Sequence, residues 1–377
     1  MWGIRETRIR RRAVLKEYHI AVIPGDGIGK EVTPEGVRVL DAVAQASGAF
    51  RLSYDYFPWG CEYYLEHGEM MPKDGLKTLE PFDAIYFGAV GFPAKVPDHI
   101  SLRGLRLPIC QGFDQYACVR PSLLLPGIPS PLANKQPGDI DFIVVRENTE
   151  GEYTGAGGRA HRGLPIELAL ETSVFTRVGV ERVIRYAFKL AQSRPRKKLA
   201  NVTKSNAQQH SLTFWDEIFN EVAPGYPDVT TERVLVDAMA ARFVLHPESL
   251  DVVVGSNLFG DILTDLGGAI CASLGLAASG NINPERTYPS MFEPVHGSAP
   301  DIFGQGISNP IAMVWCGAMM LEFLGEKPAA DLTMRAIKAV TAERRVLMPD
   351  LGGRAHTTQV TDEIIAKIGA LAEREGN

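Results

Sequence analysis

The sequence contains no run of apolar residues long enough to span a bilayer, since a membrane-spanning helix needs roughly 20 of them. It also lacks an excess of positive charge, because 39 Lys and Arg residues face 45 Asp and Glu residues and give a net charge of −6. That balance excludes the broad electrostatic footprint of a nucleic-acid-binding protein. An anionic substrate would therefore need a local cluster of arginines rather than a general positive field.

Cysteine is scarce and shows no pairing pattern. The five cysteines are odd in number and scattered, and no two of them form a C-x-x-C pair. We therefore expect reduced thiols and a cytoplasmic protein. The cysteines are Cys61, Cys110, Cys118, Cys271 and Cys316.

Internal repeats and low-complexity segments are absent from the sequence as well.

The length and composition are those of a globular protein with more than one domain. The chain has 377 residues, of which 45% are hydrophobic and 22% charged, so two domains are expected. Residues 1–17 form a basic head with no apolar segment behind it, which excludes a secretory signal. We interpret this head as a disordered extension or an over-long start. Its basic residues are Arg5, Arg8, Arg10, Arg11, Arg12 and Lys16.

Strand-like and helix-like segments alternate along the chain, and this pattern predicts an α/β fold. Residues 166–174 alternate in polarity and are predicted to form an exposed arm. Residues 121–140 contain five prolines and are predicted to be a loop at a domain crossing. The predicted strands cover residues 18–23, 51–57, 82–87, 140–146, 199–203, 233–236 and 251–255. The main predicted helices cover residues 29–46, 73–79, 176–192, 211–222 and 310–324.

A glycine-rich turn, residues 25–29 with the sequence GDGIG, follows the first predicted strand. It is one residue short of the G-x-G-x-x-G fingerprint of dinucleotide-binding Rossmann domains. The alternative is a tight glycine turn between a strand and a helix. The motif therefore does not predict a Rossmann fold.

Two aspartates, Asp261 and Asp265, lie four residues apart and share one face of a predicted helix. Like charges at this spacing repel each other, and no Lys or Arg is near them in the sequence. A hard divalent cation such as Mg²⁺ or Mn²⁺ would resolve both problems. The alternative is a pair of solvated carboxylates on a surface helix.

Further polar side chains fall where predicted strands end, which is where α/β enzymes build their sites. They are Arg146 with Tyr153, Lys204, and Asp237. Each also has an ordinary structural interpretation. The tyrosine could be a core residue with a hydrogen-bonded tip, the lysine a solvated side chain, and the aspartate a helix N-cap.

Four motifs together resemble the isocitrate/isopropylmalate dehydrogenase family. They are GDGIG at 25–29, RENTEG at 146–151, NLFGDILTD at 257–265 and EPVHGSAPDI at 293–302. The segments PDHISL at 97–102 and FDQY at 113–116 narrow the resemblance to the branch of tartrate dehydrogenase/decarboxylase and D-malate dehydrogenase. The resemblance covers residues 18–370 and implies NAD-dependent, metal-dependent oxidation and decarboxylation of a small 2-hydroxy dicarboxylate.

The resemblance also implies an isopropylmalate-dehydrogenase-like fold, in which two α/β domains share a mixed sheet and enclose the site between them. The large domain would combine residues 18–118 and 275–377, and the small domain would be residues 119–274. The arm near residues 166–174 would clasp a second copy of the chain. Members of the family are dimers or larger, with sites completed across the interface.

Site residues follow from the resemblance position by position. Asp237, Asp261 and Asp265 would bind Mn²⁺ or Mg²⁺, with Asp237 contributed by the partner subunit. Lys204 would help to remove the proton of the 2-hydroxyl, and Tyr153 would protonate the enol. Arg120 and Arg146 would hold substrate carboxylates. The residues implied for cofactor binding are Asn206, His296, Gly297, Ser298, Ala299, Asp301, Ile302 and Asn309.

The identity of Asp301 predicts NAD rather than NADP, because a carboxylate accepts hydrogen bonds from ribose hydroxyls and repels a 2′-phosphate. NADP-using relatives carry Lys and Tyr at the positions of Asp301 and Ile302. The resemblance also implies a requirement for a monovalent cation such as K⁺.

The sequence departs from the family at Cys110, where members carry a further substrate-binding arginine. Arg106, four residues earlier, is our candidate replacement, and Arg103 stands where this branch often has tryptophan.

Two alternative functions remain. One is 3-isopropylmalate dehydrogenase, which needs an apolar wall for its substrate. The other is a non-catalytic regulatory subunit, which would be expected to have lost metal-binding or acid–base residues.

Overall fold

The computed structural model describes residues 15–376, and within them strands and helices alternate as predicted. The strands are β1 (Lys16–Gly25), β2 (Phe50–Tyr56), β3 (Ala84–Ala89), β4 (Ala117–Leu123), β5 (Asp141–Glu147), β6 (Gly151–Ala160), β7 (Leu168–Val174), β8 (Lys198–Thr203), β9 (Thr230–Leu235), β10 (Val252–Gly255), β11 (Ala278–Ile282) and β12 (Ser290–Pro294).

The α-helices are α1 (Gly29–Ser47), α2 (Cys61–His67), α3 (Gly75–Leu79), α4 (Asp98–Ser101), α5 (Leu107–Gly112), α6 (Arg177–Ser193), α7 (Ser211–Val222), α8 (Val236–Leu245), α9 (Asn257–Ile270), α10 (Ile311–Leu324), α11 (Lys327–Glu343) and α12 (Thr357–Gly376). Between α4 and α5 the segment Leu102–Arg106 winds as a π-helix. No helix within residues 15–376 is both long and apolar enough to cross a membrane.

Ten strands form one mixed sheet in the order β2-β1-β3-β12-β11-β4-β5-β10-β8-β9. The strands at both ends of the sheet run parallel to their neighbours, whereas β12, β11, β4 and β5 are joined by antiparallel pairings. This antiparallel centre lies between two parallel wings, so the sheet is not that of a Rossmann domain. The expected α/β fold with a shared mixed sheet is confirmed.

Helix α6 shows why the periodic segments were predicted well. Its N-terminus begins after Thr176, whose side chain accepts a hydrogen bond from the backbone N–H of Gly179, and such capping stabilises a helix start. Val180, Val183 and Ile184 recur at helical spacing and are fully buried. The structure places the helix at Arg177–Ser193, within one residue of the prediction.

The first strand and the proline-rich segment were predicted less well. Strand β1 begins at Lys16, so Lys16 and Glu17 do not belong to an extension, and the remaining basic residues of the head lie outside the described residues. The predicted loop at 121–140 is wrong at its start, because β4 runs to Leu123. Pro121 pairs only with β5, since the pairing of β4 with β11 ends at Val119. Its missing N–H is therefore not needed by a second neighbouring strand.

The glycine-rich turn at residues 25–29 is a close-packed connection. Gly27 has φ +50°, and a Cβ on it would lie 2.0 Å from the carbonyl oxygen of Ser298. The Asp26 carboxylate is buried and accepts hydrogen bonds from the backbone N–H groups of Cys61 and Gly91. The structure thus favours the tight-turn interpretation. The turn contacts the segments that contain Cys61, Gly91 and Ser298.

Strands β6 and β7 form a separate two-stranded antiparallel ribbon. The side chains of β7 are exposed along almost its whole length, including the apolar Leu168 and Leu170. The predicted exposed arm is therefore present at residues 166–174. Its role as a clasp for a second copy of the chain stays a prediction.

Candidate active site

Three arginines from three different elements line one cavity of about 180 Å³. Arg106 comes from the π-helical turn, Arg120 from β4 and Arg146 from β5, and all three are buried. Arginine keeps its positive charge in proteins and matches carboxylates in a bidentate geometry. The other lining residues are Gly88, Ala89, Val90, Leu102, Tyr153, Asp261, Glu293, Pro294, Val295, His296 and Gly297.

Asp261 lines this cavity and accepts hydrogen bonds from several of the other lining residues. Its Oδ1 accepts hydrogen bonds from Nη1 of Arg120, at 3.1 Å, and from Nη1 of Arg146. Burial alone would raise the pKa of Asp261, but Arg146 and Arg120 lower it to about 2. The carboxylate is therefore ionised at neutral pH. No Lys or Arg lies near Asp261 in the sequence, and its cationic partners come from 115 and 141 residues away in the chain.

A glycine in the helix places Asp261 beside Arg146. The Cα of Gly260 faces β5 so closely that an added Cβ would lie 2.5 Å from the Cβ of Arg146. Helix α9 can therefore pack directly on the strand, and the next residue, Asp261, reaches the arginine head group. The helix itself begins after Ser256, whose hydroxyl accepts a hydrogen bond from the N–H of Phe259.

Tyr153, at the start of β6, donates its hydroxyl to Oδ2 of Asp261 at 2.7 Å. Burial and the hydrogen bond to the ionised Asp261 both raise the pKa of the Tyr153 phenol. The guanidinium of Arg146 lies over the tyrosine ring, 5.1 Å from its centroid. The phenol is thus protonated at neutral pH and can donate a proton into the cavity.

A second ion pair also lines the cavity. Nε of Arg106 donates to Oε1 of Glu293 at 2.7 Å, and both side chains are more than nine-tenths buried. Asn281 donates from Nδ2 to the same Oε1 and accepts from Nη2 of Arg106 at 3.3 Å. Asn148 in turn donates to Oδ1 of Asn281 at 3.0 Å. We did not single out Glu293 or Asn281 from the sequence, although Glu293 opens the fourth motif.

Cys110 cannot take the place of the missing arginine, because its side chain is fully buried and its thiol is uncharged. Burial raises the pKa of Cys110 to about 12. Arg106, one helical turn earlier, does reach the cavity. Arg103 does not line it and instead lies 3.7 Å from Glu171 of the arm.

Asp265 lies one turn beyond Asp261 on α9, is exposed, and has no hydrogen-bond partner within residues 15–376. The pKa of Asp265 is raised, because desolvation by the surrounding protein and the negative charge of Asp261 outweigh the lowering effect of Arg120. No group of three metal-binding side chains occurs among these residues. Two carboxylates of one chain fit part of the oxygen shell of Mg²⁺ or Mn²⁺, with water and substrate oxygens able to complete it.

Lys204 and Asp237 are not brought into this cavity by a single chain. They contact each other instead, with Nζ of Lys204 2.6 Å from Oδ1 of Asp237. Lys204 follows β8 and Asp237 lies in the first turn of α8, where its carboxylate is largely exposed. The two predicted residues therefore form an ion pair that does not line the cavity of the three arginines.

The loop after β12 contributes His296 and Gly297 to the cavity. Nδ1 of His296 lies 3.0 Å from the carbonyl oxygen of Gly297, and burial lowers the pKa of the imidazole. Nε2 of His296 is buried and has no partner in the described part of the chain. It is thus an acceptor available to a bound cofactor. Ser298 is buried and its carbonyl accepts from the N–H of Ile28.

The remaining residues predicted to bind cofactor spread outward from this loop. Asp301 is exposed and Ile302 half-buried, so the carboxylate is open to a ligand. Asn309 bonds within the protein, to Asp350 and to the N–H of Ile311. Asn206 is exposed after β8, beside Lys204 rather than beside the loop. Ala299 adopts a positive φ of +37°.

Comparison with known sequences agrees with the motifs. The family model for isocitrate/isopropylmalate dehydrogenase matches residues 19–367. A probable tartrate dehydrogenase/decarboxylase of Agrobacterium vitis is 60% identical over 350 residues, which cover 93% of this chain and 97% of the relative. The D-malate dehydrogenase (decarboxylating) of Escherichia coli strain K12 is 56% identical, covering 93% and 98%. The tartrate dehydrogenase/decarboxylase of Pseudomonas putida is 53% identical, covering 91% and 95%.

Comparison with solved structures gives the same fold. The crystal structure of isocitrate dehydrogenase from Methylococcus capsulatus superposes with a TM-score of 0.84 at 34% sequence identity. The superposition covers 93% of this chain and 99% of that one. The chain therefore has the same overall fold as this isocitrate dehydrogenase.

Proposed function

Since the chain belongs to the isocitrate/isopropylmalate dehydrogenase family, we propose that it uses NAD and Mn²⁺ or Mg²⁺ to oxidise and decarboxylate D-malate or tartrate. The broader activity, that of a decarboxylating dehydrogenase acting on a CH–OH group, follows from its relatives. The substrate, the cofactors and the residues that act are inferred from the side chains that line the cavity.

One observation carries the proposal: three buried arginines converge on a cavity of about 180 Å³ with only Asp261 and Glu293 to balance them. Burying unbalanced positive charge is costly. A small dianion with two carboxylates would satisfy the free N–H groups of Arg120 and Arg146. Nε of Arg120 is already a buried donor without a partner among the described residues.

The acid–base groups then have defined tasks. Tyr153, held protonated beside Asp261, would donate the proton that the enol requires at C3. Lys204 would accept the proton of the substrate 2-hydroxyl. Because Lys204 and Asp237 pair with each other outside the cavity, they would act on the site of a second copy of the chain.

Asp261 and Asp265 would hold the divalent cation with Asp237 of the partner subunit, in a homodimer or a larger assembly. When bound, the cation makes the 2-hydroxyl more acidic and polarises the ketone formed from it. One of these carboxylates, Asp261, is itself bonded to Arg120 and Tyr153. The chain has all five residues that a metal and acid–base site would need, and their presence argues against a non-catalytic regulatory subunit. They are Tyr153, Lys204, Asp237, Asp261 and Asp265.

NAD would lie along the loop that contains His296, Gly297 and Asp301. A Cβ added to Gly297 would meet no atom within 4 Å, so this face of the loop is open. Asp301 would accept hydrogen bonds from the ribose hydroxyls. A kinetic preference for NADP would contradict this assignment.

The first test is NADH formation with Mn²⁺ and four substrates: D-malate, L-tartrate, meso-tartrate and 3-isopropylmalate. Turnover of D-malate or a tartrate that is lost on chelation and restored by Mn²⁺ supports the proposal. Turnover of 3-isopropylmalate alone would assign the chain to the neighbouring branch. No turnover of any of the four would reject it.

A further inference from the structure

Arg106 and Glu293, which line the cavity, leave one guanidinium nitrogen and one carboxylate oxygen without a hydrogen-bond partner in the described part of the chain. Arg106 uses Nε for Glu293 and Nη2 for Asn281, and Glu293 uses Oε1 for both partners. Within residues 15–376, Nη1 of Arg106 and Oε2 of Glu293 have no hydrogen-bond partner. Both residues line the cavity.

The two unused groups belong to a rigid arrangement. Arg106 and Glu293 are 7% and 5% exposed, and Asn281 and Asn148 behind them are fully buried. The chain of hydrogen bonds from Asn148 through Asn281 to the ion pair fixes both head groups. Both head groups of this part of the cavity lining are therefore held in a preorganised position before any ligand arrives.

A donor beside an acceptor is complementary to a hydroxyl group, which both accepts and donates a hydrogen bond. A carboxylate would accept from Arg106 but would be repelled by Glu293. An isopropyl group or a plain methylene would leave both protein groups unpaired in a buried place, which costs free energy. This ion pair thus distinguishes ligands by the substituent that they present to it.

We propose that Arg106 and Glu293 form a subsite for the hydroxyl on C3 of the substrate, so that the enzyme prefers a 2,3-dihydroxy dicarboxylate, a tartrate, over D-malate. This inference rests on the proposed function, because it assumes that Arg120, Arg146 and Asp261 hold the rest of the substrate. D-malate carries only hydrogens at C3 and forgoes both hydrogen bonds.

The test compares kcat/KM for the better of L-tartrate and meso-tartrate with that for D-malate. In the wild type we expect the tartrate to lead by about tenfold or more, since sites built to bind a substrate hydroxyl discriminate strongly against analogues without it. The Arg106→Met variant should lower kcat/KM for tartrate by a similar factor and that for D-malate by much less. The ratio of the two values should fall towards one.

The Glu293→Gln variant tests the acceptor alone. Its amide oxygen can keep the bonds to Arg106 and Asn281, while an NH₂ group replaces the acceptor that faces the cavity. The tartrate-to-malate ratio should fall severalfold, and circular dichroism melting should show a folded protein. Arg103→Met, on the same helical segment but outside the cavity, is the matched control and should leave the ratio unchanged.

The outcomes separate the two proposals. If neither substrate turns over, the proposed function is wrong. If both turn over, but D-malate is preferred in the wild type or both variants lower the two kcat/KM values equally, only the hydroxyl subsite is rejected. Should Arg106→Met fail to fold, Glu293→Gln decides.

Discussion

At the scale of single residues, Asp261 joins the two kinds of chemistry in the cavity. One of its oxygens accepts from Arg120 and Arg146, and the other accepts from Tyr153. Its single charge offsets part of the positive charge of Arg120 and Arg146 and keeps the phenol of Tyr153 protonated. The neighbouring Asp265 makes no such contacts, so the two aspartates that look equivalent in the sequence differ in their surroundings.

We predict that Tyr153→Phe lowers kcat by about a hundredfold or more, since a positioned proton donor contributes at least that much. KM for the substrate should change little, because the arginines are untouched. Steady-state NADH formation measures both. Tyr116→Phe is the control, since the hydroxyl of Tyr116 bonds to Glu285 and does not line the cavity. Equal activity of Tyr153→Phe and the wild type would remove Tyr153 from the mechanism.

We predict that Asp265→Asn raises the Mn²⁺ concentration for half-maximal activity about tenfold or more, because one charged oxygen ligand is lost. The melting temperature without metal should stay the same, since Asp265 accepts no hydrogen bond from the described residues. Titration of Mn²⁺ into the NADH assay measures the effect. The control is Asp228→Asn, which removes a carboxylate from a surface ion pair with Lys197 and should leave the Mn²⁺ requirement unchanged. If this control raises the Mn²⁺ concentration for half-maximal activity as much as Asp265→Asn does, the effect of Asp265→Asn is nonspecific.

At the scale of elements, the contact of α9 with β5 builds the site. Gly260 allows the helix to touch the strand, and the adjacent residue then reaches Arg146. The neighbouring strands β4, β11 and β12 contribute Arg120, Asn281 and Glu293 to the same face. A shift of one of these elements would therefore separate groups that have to act together.

We predict that Gly260→Ala destabilises the protein by about 1–3 kcal/mol, the usual cost of overpacking, and lowers kcat/KM. Its matched control is Gly369→Ala in α12, where an added Cβ meets no atom within 4 Å. That change should stabilise the protein by about 0.5–1 kcal/mol, because alanine is the better helix former. Urea denaturation measures both. Equal effects of the two substitutions would contradict the close contact of α9 with β5.

The sequence predicted the secondary-structure elements better than it predicted which distant side chains contact each other. Helix α6 was placed to within one residue, since its cap and its hydrophobic period are local signals. Strands β11 and β12 were not predicted, because short buried strands carry no period of their own. The partners of Asp261 were missed for a related reason. Arg120 and Arg146 lie more than 100 residues away, and only the sheet brings them to it.

At the scale of the whole molecule, the residues predicted to act together are divided between two places. Asp261, Tyr153 and the arginines share the cavity, whereas Lys204 and Asp237 pair on the surface. The motifs gave the roles of these residues by resemblance, but no local pattern could say which of them meet within one chain. We propose that a second copy of the chain brings Lys204 and Asp237 to the cavity.

We predict that two inactive variants restore activity when their subunits are mixed. Lys204→Met and Asp261→Asn should each be inactive, but after unfolding and refolding together about a quarter of wild-type activity should return. Half of the dimers would then be hybrids, and each hybrid would contain one intact site. NADH formation measures the recovery, with Lys204→Met refolded alone as the control. No recovery would mean that Lys204 and Asp261 serve the same site within one chain.

The mixed sheet also sets an order of events during synthesis. Strand β3 borders β12, which is made about 200 residues later, whereas β5, β10, β8 and β9 lie within a continuous stretch. The middle of the chain can thus fold while it leaves the ribosome, whereas β3 lacks its neighbour β12 until the C-terminal third is made. During that interval the edge of β3 is open to other chains, so the nascent protein needs protection most before residues 290–294 have emerged.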